Sequence, residues 1–170
     1  MATPCTLDAS FILTLADAAA LDLVWANTRY EWKITPVVRG EILSRAARAA
    51  LQHALLAGRL SATEPDLASS EAAALADWVK RVDPGEAEAI AVALSRGWLV
   101  ALEDLHAQRQ VDRQAGRGHW INSGNVLLDA VDDGRVTLGE ADATFRNLNC
   151  YRGYARRGIR SLADLPHSKR

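Results

Sequence analysis

A chain of 170 residues, 49% apolar and 24% charged, has enough material for one well-packed domain and too little for two. Its two cysteines, Cys5 and Cys150, are too few and too far apart for a disulfide scaffold or a zinc site. The longest apolar stretch, FILTLADAAALDLVWA, is interrupted by Asp17 and Asp22 and fails as a membrane span. The N-terminus also lacks the basic start of a signal peptide, so no membrane and a cytoplasmic location are expected.

TPCTLD (3–8) reads as a short strand ending at Asp8, and SFILTLADAAALDLVWAN (10–27) follows with helical spacing. YEWKIT (30–35) reads as a second strand. Pro36 then opens a long helix to Ala57, proline being harmless at a first helical position, and Gly58 closes it. RLSATE (59–64) is predicted as a strand and SSEAAALADWVKRV (69–82) as a helix. Asp83-Pro84-Gly85-Glu86 has the spacing of a capping box and starts a helix that runs to Arg96. WLVAL (98–102) is the unbroken apolar run of a buried parallel strand. LHAQRQVDRQA (105–115) is helical, HWIN (119–122) a short strand, SGNVLLDAVDDG (123–134) a helix, and a last helix covers Gly139 to Tyr154.

Strands alternating with helices predict an α/β fold, a three-layer sandwich with a mostly parallel sheet. In such folds ligands bind outside the carboxyl ends of the strands. Asp8 and Asp104 each follow a predicted strand and are expected in one crevice. Each also suits a helix N-cap. Glu41 lies at the margin of its helix's apolar stripe, where a surface pair with Arg45 competes with an inward role. Glu86 shares a face with Ile90 and Ala93 and points inward. Glu88, about 200° round the helix, reads as a solvated face, and Glu103 as a strand-end surface residue. Four acids aimed at one crevice repel one another unless a cation sits among them, and all-oxygen ligands suit Mg²⁺ or Mn²⁺. Such sites hydrolyse phosphodiesters.

The order of LDAS (7–10), VVRGEI (37–42), DPGEAEAIAVALSRG (83–97), LVALED (99–104), AQR (107–109) and INSGNVLL (121–128) resembles the PIN domain family of metal-dependent ribonucleases. The likeness is nearest to its bacterial and archaeal toxin-like branch with a GEAEAI-type helix. It covers residues 5 to about 135, so that 1–138 is read as the nuclease domain and 139–170 as a C-terminal helix and basic tail on the same domain. The resemblance implies an RNA endonuclease, with Asp8, Glu41, Glu86 and Asp104 on the acidic positions and Ser123 orienting water or completing the metal shell. Asp8, Glu86 and Asp104 are then the metal ligands. Arg109 and Asn122 are candidates for substrate binding. Glu86 stands where many relatives carry aspartate, and Glu88 and Glu103 are rival ligands. The toxin role, an antitoxin partner and a homodimer are implied by resemblance alone.

From Thr144 onward seven Lys/Arg face one acid, for +6, whereas the first 143 residues carry −7. Tyr151, Arg152, Arg156 and Arg157, with Tyr154, therefore read as contacts for RNA or for an acidic antitoxin segment, or as a solvated terminus. Two other function classes compete with the nuclease. A catalytically degenerate PIN fold would bind RNA or protein without cutting. An aspartate phosphoryl-transfer protein is the weaker rival: Ser10 stands where the phosphatase class needs a second Asp, and the lysines are at Lys33, Lys80 and Lys169.

Overall fold

The computed structural model describes residues 1–165, leaving Lys169 and Arg170 of the basic tail outside the described residues. Five parallel strands form one sheet: β1 (Thr3–Leu7), β2 (Tyr30–Ile34), β3 (Leu60–Ala62), β4 (Leu99–Ala101) and β5 (Trp120–Ile121), in the order β3-β2-β1-β4-β5. Helices cover it as a three-layer α/β/α sandwich, as expected from the alternation of elements. The chain builds outward from β1 to β3 on one side, then crosses back to lay β4 and β5 on the other. The direction of winding therefore reverses between β1 and β4, and a crevice opens at the carboxyl ends of those two strands.

The helices are α1 (Ala9–Asp17), α2 (Leu21–Trp25), α3 (Pro36–Glu41), α4 (Arg45–Leu56), α5 (Ser70–Trp78) and α6 (Pro84–Ser95). They continue with α7 (Leu105–Ala115), α8 (Ser123–Asp132), α9 (Leu138–Asn147) and α10 (Tyr151–Arg156). Helix α6 is alanine-rich and buried along most of its length, which lets it lie close on β1 and β4 and touch α3, α5 and α7. The Thr6 hydroxyl donates to the Ala89 carbonyl at 2.9 Å and pins β1 to this helix. Around α1 gather α2 and α8, and a 3-10 turn (Leu162–Asp164) packs on α8 and α9. The C-terminal segment shares the main core through Phe145, Tyr154, Leu162 and Leu165.

Three helices expected to be continuous are broken. The span 10–27 divides at Ala19, whose φ of 53° is a left-handed conformation that a helix interior cannot hold. The span 36–57 divides at Ile42, which turns to an extended backbone and drops its side chain into the core; Ser44 then recaps α4 through the Ala47 N–H. The last helix divides at Leu148, also extended and buried. In the last two breaks a buried apolar residue outweighs the few hydrogen bonds of an uninterrupted helix.

Candidate functional site

Asp8 follows the central strand, and its N–H extends the ladder to the Ala101 carbonyl at 3.1 Å. Its carboxylate caps α1, accepting from the Ser10 N–H at 2.9 Å and from the Ser10 hydroxyl. It is 1% exposed, and burial pushes its proton affinity up, with the charge of Asp104 adding to the effect. Asp104 follows β4 and caps α7 through the N–H groups of His106 and Ala107, at 2.7 and 2.9 Å. Both caps are those expected of these residues, and both stand beside the reversal of winding.

Glu86 sits in the first turn of α6. Partial burial, then the charges of Asp8 and Asp104, push its pKa up to about 8. The capping box expected here is incomplete, because the Asp83 side chain makes no cap hydrogen bond. The Gly85 N–H instead donates to Glu41 Oε1 at 3.0 Å, from the far end of α3. A Cβ at Gly85 would overlap the Glu41 carboxylate, so glycine is what allows this approach. Burial and the charges of Asp8, Asp83 and Glu88 raise the Glu41 carboxyl as well.

Glu88 corrects the solvated-face reading. It is 5% exposed, and its Oε2 accepts from the Val37 N–H of α3 at 2.9 Å. Helices α3 and α6 thus cap each other: Glu88 serves the start of α3, and Glu41 the start of α6. The anticipated Glu41–Arg45 pair does not form, because the helix ends between them.

Glu103 likewise is no surface residue. At 8% exposed, it accepts from the Ser123 N–H, from the Cys150 thiol at 3.4 Å and from the Tyr154 hydroxyl at 3.4 Å. Burial raises its pKa, and burial beside Glu103 pushes the Cys150 thiol up to about 12. Ser123 belongs to this buried group. Its Oγ lies against Glu103 and Cys150 without a well-aligned hydrogen bond. Asn122 is the N-cap of α8, closing a reciprocal box with Asn125 at 3.1 and 2.9 Å.

The charge of Asp104 thus reaches Asp8 and Glu86, that of Asp8 reaches Glu41 and Glu86, and Ser123 is held with Glu103. Among the described residues no three His, Cys, Asp or Glu side chains are grouped as a metal site. The carboxylates meet through their fields, each braced by N–H donors or, for Glu86, by helix position. Hard oxygen donors that raise one another's proton affinity are of the type that suits Mg²⁺ or Mn²⁺.

A groove of about 410 Å³ runs over Glu86 and Asp104, with Lys80, Arg81 and His106 along its walls. His106 Nε2 lies 3.0 Å from the Arg81 carbonyl. Sequence reasoning missed these three, since two precede the cap of α6 and one follows that of α7. The one signal available was His106, two residues past Asp104. Arg109 is exposed on α7.

In the C-terminal segment Tyr151 donates its hydroxyl to the Arg160 carbonyl at 3.2 Å and sets its ring edge-on to Phe145. Tyr154 is buried, with the Arg157 guanidinium 4.8 Å over its ring. These aromatic faces serve packing. Arg152, Arg156 and Arg157 remain exposed, Arg157 with its Nε–H donating to the Gly153 carbonyl at 3.1 Å. Among the described residues no helix is long and apolar enough to cross a membrane. No protein-family model matches the chain, and no curated protein matches it at significance.

Proposed function

We propose that the protein is a divalent-metal-dependent RNA endonuclease of the PIN type, hydrolysing phosphodiester bonds at the crevice beside β1 and β4. The observation that carries this reading is the meeting of Asp8, Glu86 and Asp104 at the reversal of winding. Burial is the largest influence on Asp8 and Glu86, followed by neighbouring acids and hydrogen-bond donors, with no cationic side chain among the leading causes. Such a site demands positive charge.

In this reading Asp8, Glu86 and Asp104 hold Mg²⁺ or Mn²⁺, which supplies charge neutralisation and a more acidic bound water. Asp8 and Asp104 are prepositioned by their caps, so their oxygens lose little freedom on binding. Glu86 has the longer arm and adjusts. Glu41 adds negative field from the end of α3. Lys80 and Arg81 attract the RNA backbone to the groove, and Arg109 approaches from α7, guanidinium being suited to phosphate. Asn122 and Ser123 support α8 behind the site. Arg152 and Arg156 are then open to RNA or to an acidic antitoxin segment, in keeping with a toxin of a toxin–antitoxin pair acting in the cytoplasm, alone or as a homodimer.

Cleavage of a mixed RNA pool in Mn²⁺ or EDTA, by the wild type and by Asp8→Asn, tests the reading. Asparagine caps a helix as well as aspartate, so the variant keeps its fold. Metal-dependent cutting that survives in Asp8→Asn overturns the site.

One set of observations favours a second reading, a PIN-like fold that binds without cutting. Asp8, Glu41 and Asp104 all accept N–H donors, which gives each a structural use with no ion. Titration with Mn²⁺ separates the two: no binding in the millimolar range favours the scaffold.

A further inference from the structure

A second cavity lies apart from the four acids. It measures about 570 Å³, within the range of small-molecule pockets, and lies at the carboxyl ends of β2 and β3 beneath α3 and α4. Ile34, Leu51 and Leu55 give it an apolar floor, and Arg39 and Arg48 stand in its walls against a single acid, Glu64. Arg48 is steadied by donating Nε–H to the Ile42 carbonyl at the break between the helices. The Arg39 side chain makes no hydrogen bond or ion pair among the described residues, its backbone N–H alone donating to the Thr35 carbonyl at 3.0 Å.

Thr35, also in the wall, is fully buried, and its Oγ1 has no hydrogen-bond partner. The reason lies across the molecule. Thr35 is the N-cap residue of α3, yet its side chain makes no cap bond, and Glu88 takes the Val37 N–H. A buried hydroxyl released in this way is costly unless something else pairs with it.

The cavity adjoins the acidic crevice. Continuing the β1–β2 register from Thr6 opposite Lys33 sets Thr35 beside Asp8, one strand over, and Gly40 in the cavity wall precedes Glu41. Adjacent strands lie about 4.8 Å apart, so the wall of the cavity begins one strand away from Asp8.

We propose that this cavity is a subsite for one nucleotide of the RNA strand being cut, its base on the Ile34–Leu51–Leu55 floor and its phosphate between Arg39 and Arg48. The Thr35 hydroxyl pairs with a polar edge of the base or sugar. The proposal rests on the endonuclease reading for the word strand, but the binding chemistry stands by itself. The apolar floor argues for a base in addition to a phosphate, and the paired guanidiniums argue against an uncharged ligand.

The test uses the four ribonucleoside 5′-monophosphates as probes, in EDTA, with methyl chemical shifts of Ile34, Leu51 and Leu55 as the readout. Saturable shifts are expected with at least one nucleotide. Affinity should fall about tenfold in Arg39→Gln and about three- to tenfold in Thr35→Val, which keeps shape and removes the hydroxyl. Shifts that do not saturate, or affinity unchanged in both variants, overturn the subsite. So does inorganic phosphate binding as tightly as the nucleotides, or concentration-dependent shifts in the free protein that report a second copy in the cavity. A parallel assay follows RNA cleavage in Mn²⁺ by Arg39→Gln, where KM should rise about tenfold with kcat little changed. Nucleotide binding without any cleavage leaves the cavity standing and removes the nuclease reading. Cleavage with KM unchanged in Arg39→Gln removes the subsite and leaves the nuclease.

Discussion

The two ends of the sheet treat carboxylates in opposite ways. Before β2, at the amino end, Asp129 and Asp133 of the α8 region meet Arg29 at 2.7 and 2.5 Å, and Arg135 reaches Asp133 at 2.8 Å. Tyr30 and Asn27 add donors to Asp129 at 3.0 and 3.1 Å. There the Asp133 carboxyl is held below its usual range by the Arg29 guanidinium, and the Arg29 pKa is raised in turn. At the carboxyl end Asp8, Glu41 and Glu86 are all raised by burial first, with the charge of Asp104 adding at Asp8, that of Asp8 at Glu41, and those of Asp8 and Asp104 at Glu86. Acids paired with arginine fasten elements together; acids gathered with acids keep a demand for positive charge. The second arrangement is costly to a fold, which is why it draws a functional reading.

Four experiments challenge this contrast. The largest effect is expected from Asp104→Asn, which should lower metal-dependent RNA cleavage by about 10²–10⁴-fold. Asparagine still caps α7, so the thermal midpoint should hold or rise as one repulsive charge leaves. A variant that cuts normally would place Asp104 outside the chemistry.

At the other end Arg29→Ala should cost about 1–3 kcal/mol in urea unfolding, because several charge-assisted bonds go at once while buried Asp129 stays. Cleavage by the folded fraction should be unchanged. A loss of stability as small at Arg29 as at an ordinary surface site would erase the distinction.

The pH dependence of stability should have opposite signs at the two ends. A carboxyl raised in the folded state binds more protons there than in the unfolded chain, so its stabilisation is full below the unfolded value and fades through the folded one. For Glu86 that window runs from the ordinary 4.5 to about 8, and the metal-free protein should weaken as pH rises across it. Glu86→Gln should flatten this slope. Asp133, lowered by Arg29, contributes above its ordinary 3.8 and is lost as pH falls through its depressed value. Thermal midpoints in EDTA across this range check both signs.

The smallest change is expected from Arg152→Ala with Arg156→Ala. Stability should stay within about 0.5 kcal/mol, since both side chains are exposed. RNA affinity should fall modestly, and the slope of log affinity against log salt should shrink by about one for each phosphate no longer neutralised. An unchanged slope would assign this segment to solvation or to a protein partner.

Much of the architecture was readable from local pattern. The apolar run at 98–102, the glycine stops at Gly58 and Gly97, and Pro36 and Pro84 at helix starts define β4, α3, α4 and α6 through short-range sterics. Asp8 and Asp104 were legible as caps because capping spans two or three residues. The candidate grouping of Asp8, Glu41, Glu86 and Asp104 was legible only as an order of motifs, and the reach of Asp104 to Asp8 and Glu86 became visible once β1 and β4 lay side by side.

The linear chain dictates the alternation of strands and helices, the caps written in adjacent residues and the sign of charge at each strand end. Packing alone chose that Glu88 and Glu41 cap helices through N–H groups 51 and 44 residues away, that Glu103 is buried, and that Thr35 loses its capping task. One cause is common to these cases. A carboxylate's partner is whichever donor the packed fold brings within about 3 Å, and two elements remote in the chain supply donor and acceptor without any local pattern to announce it.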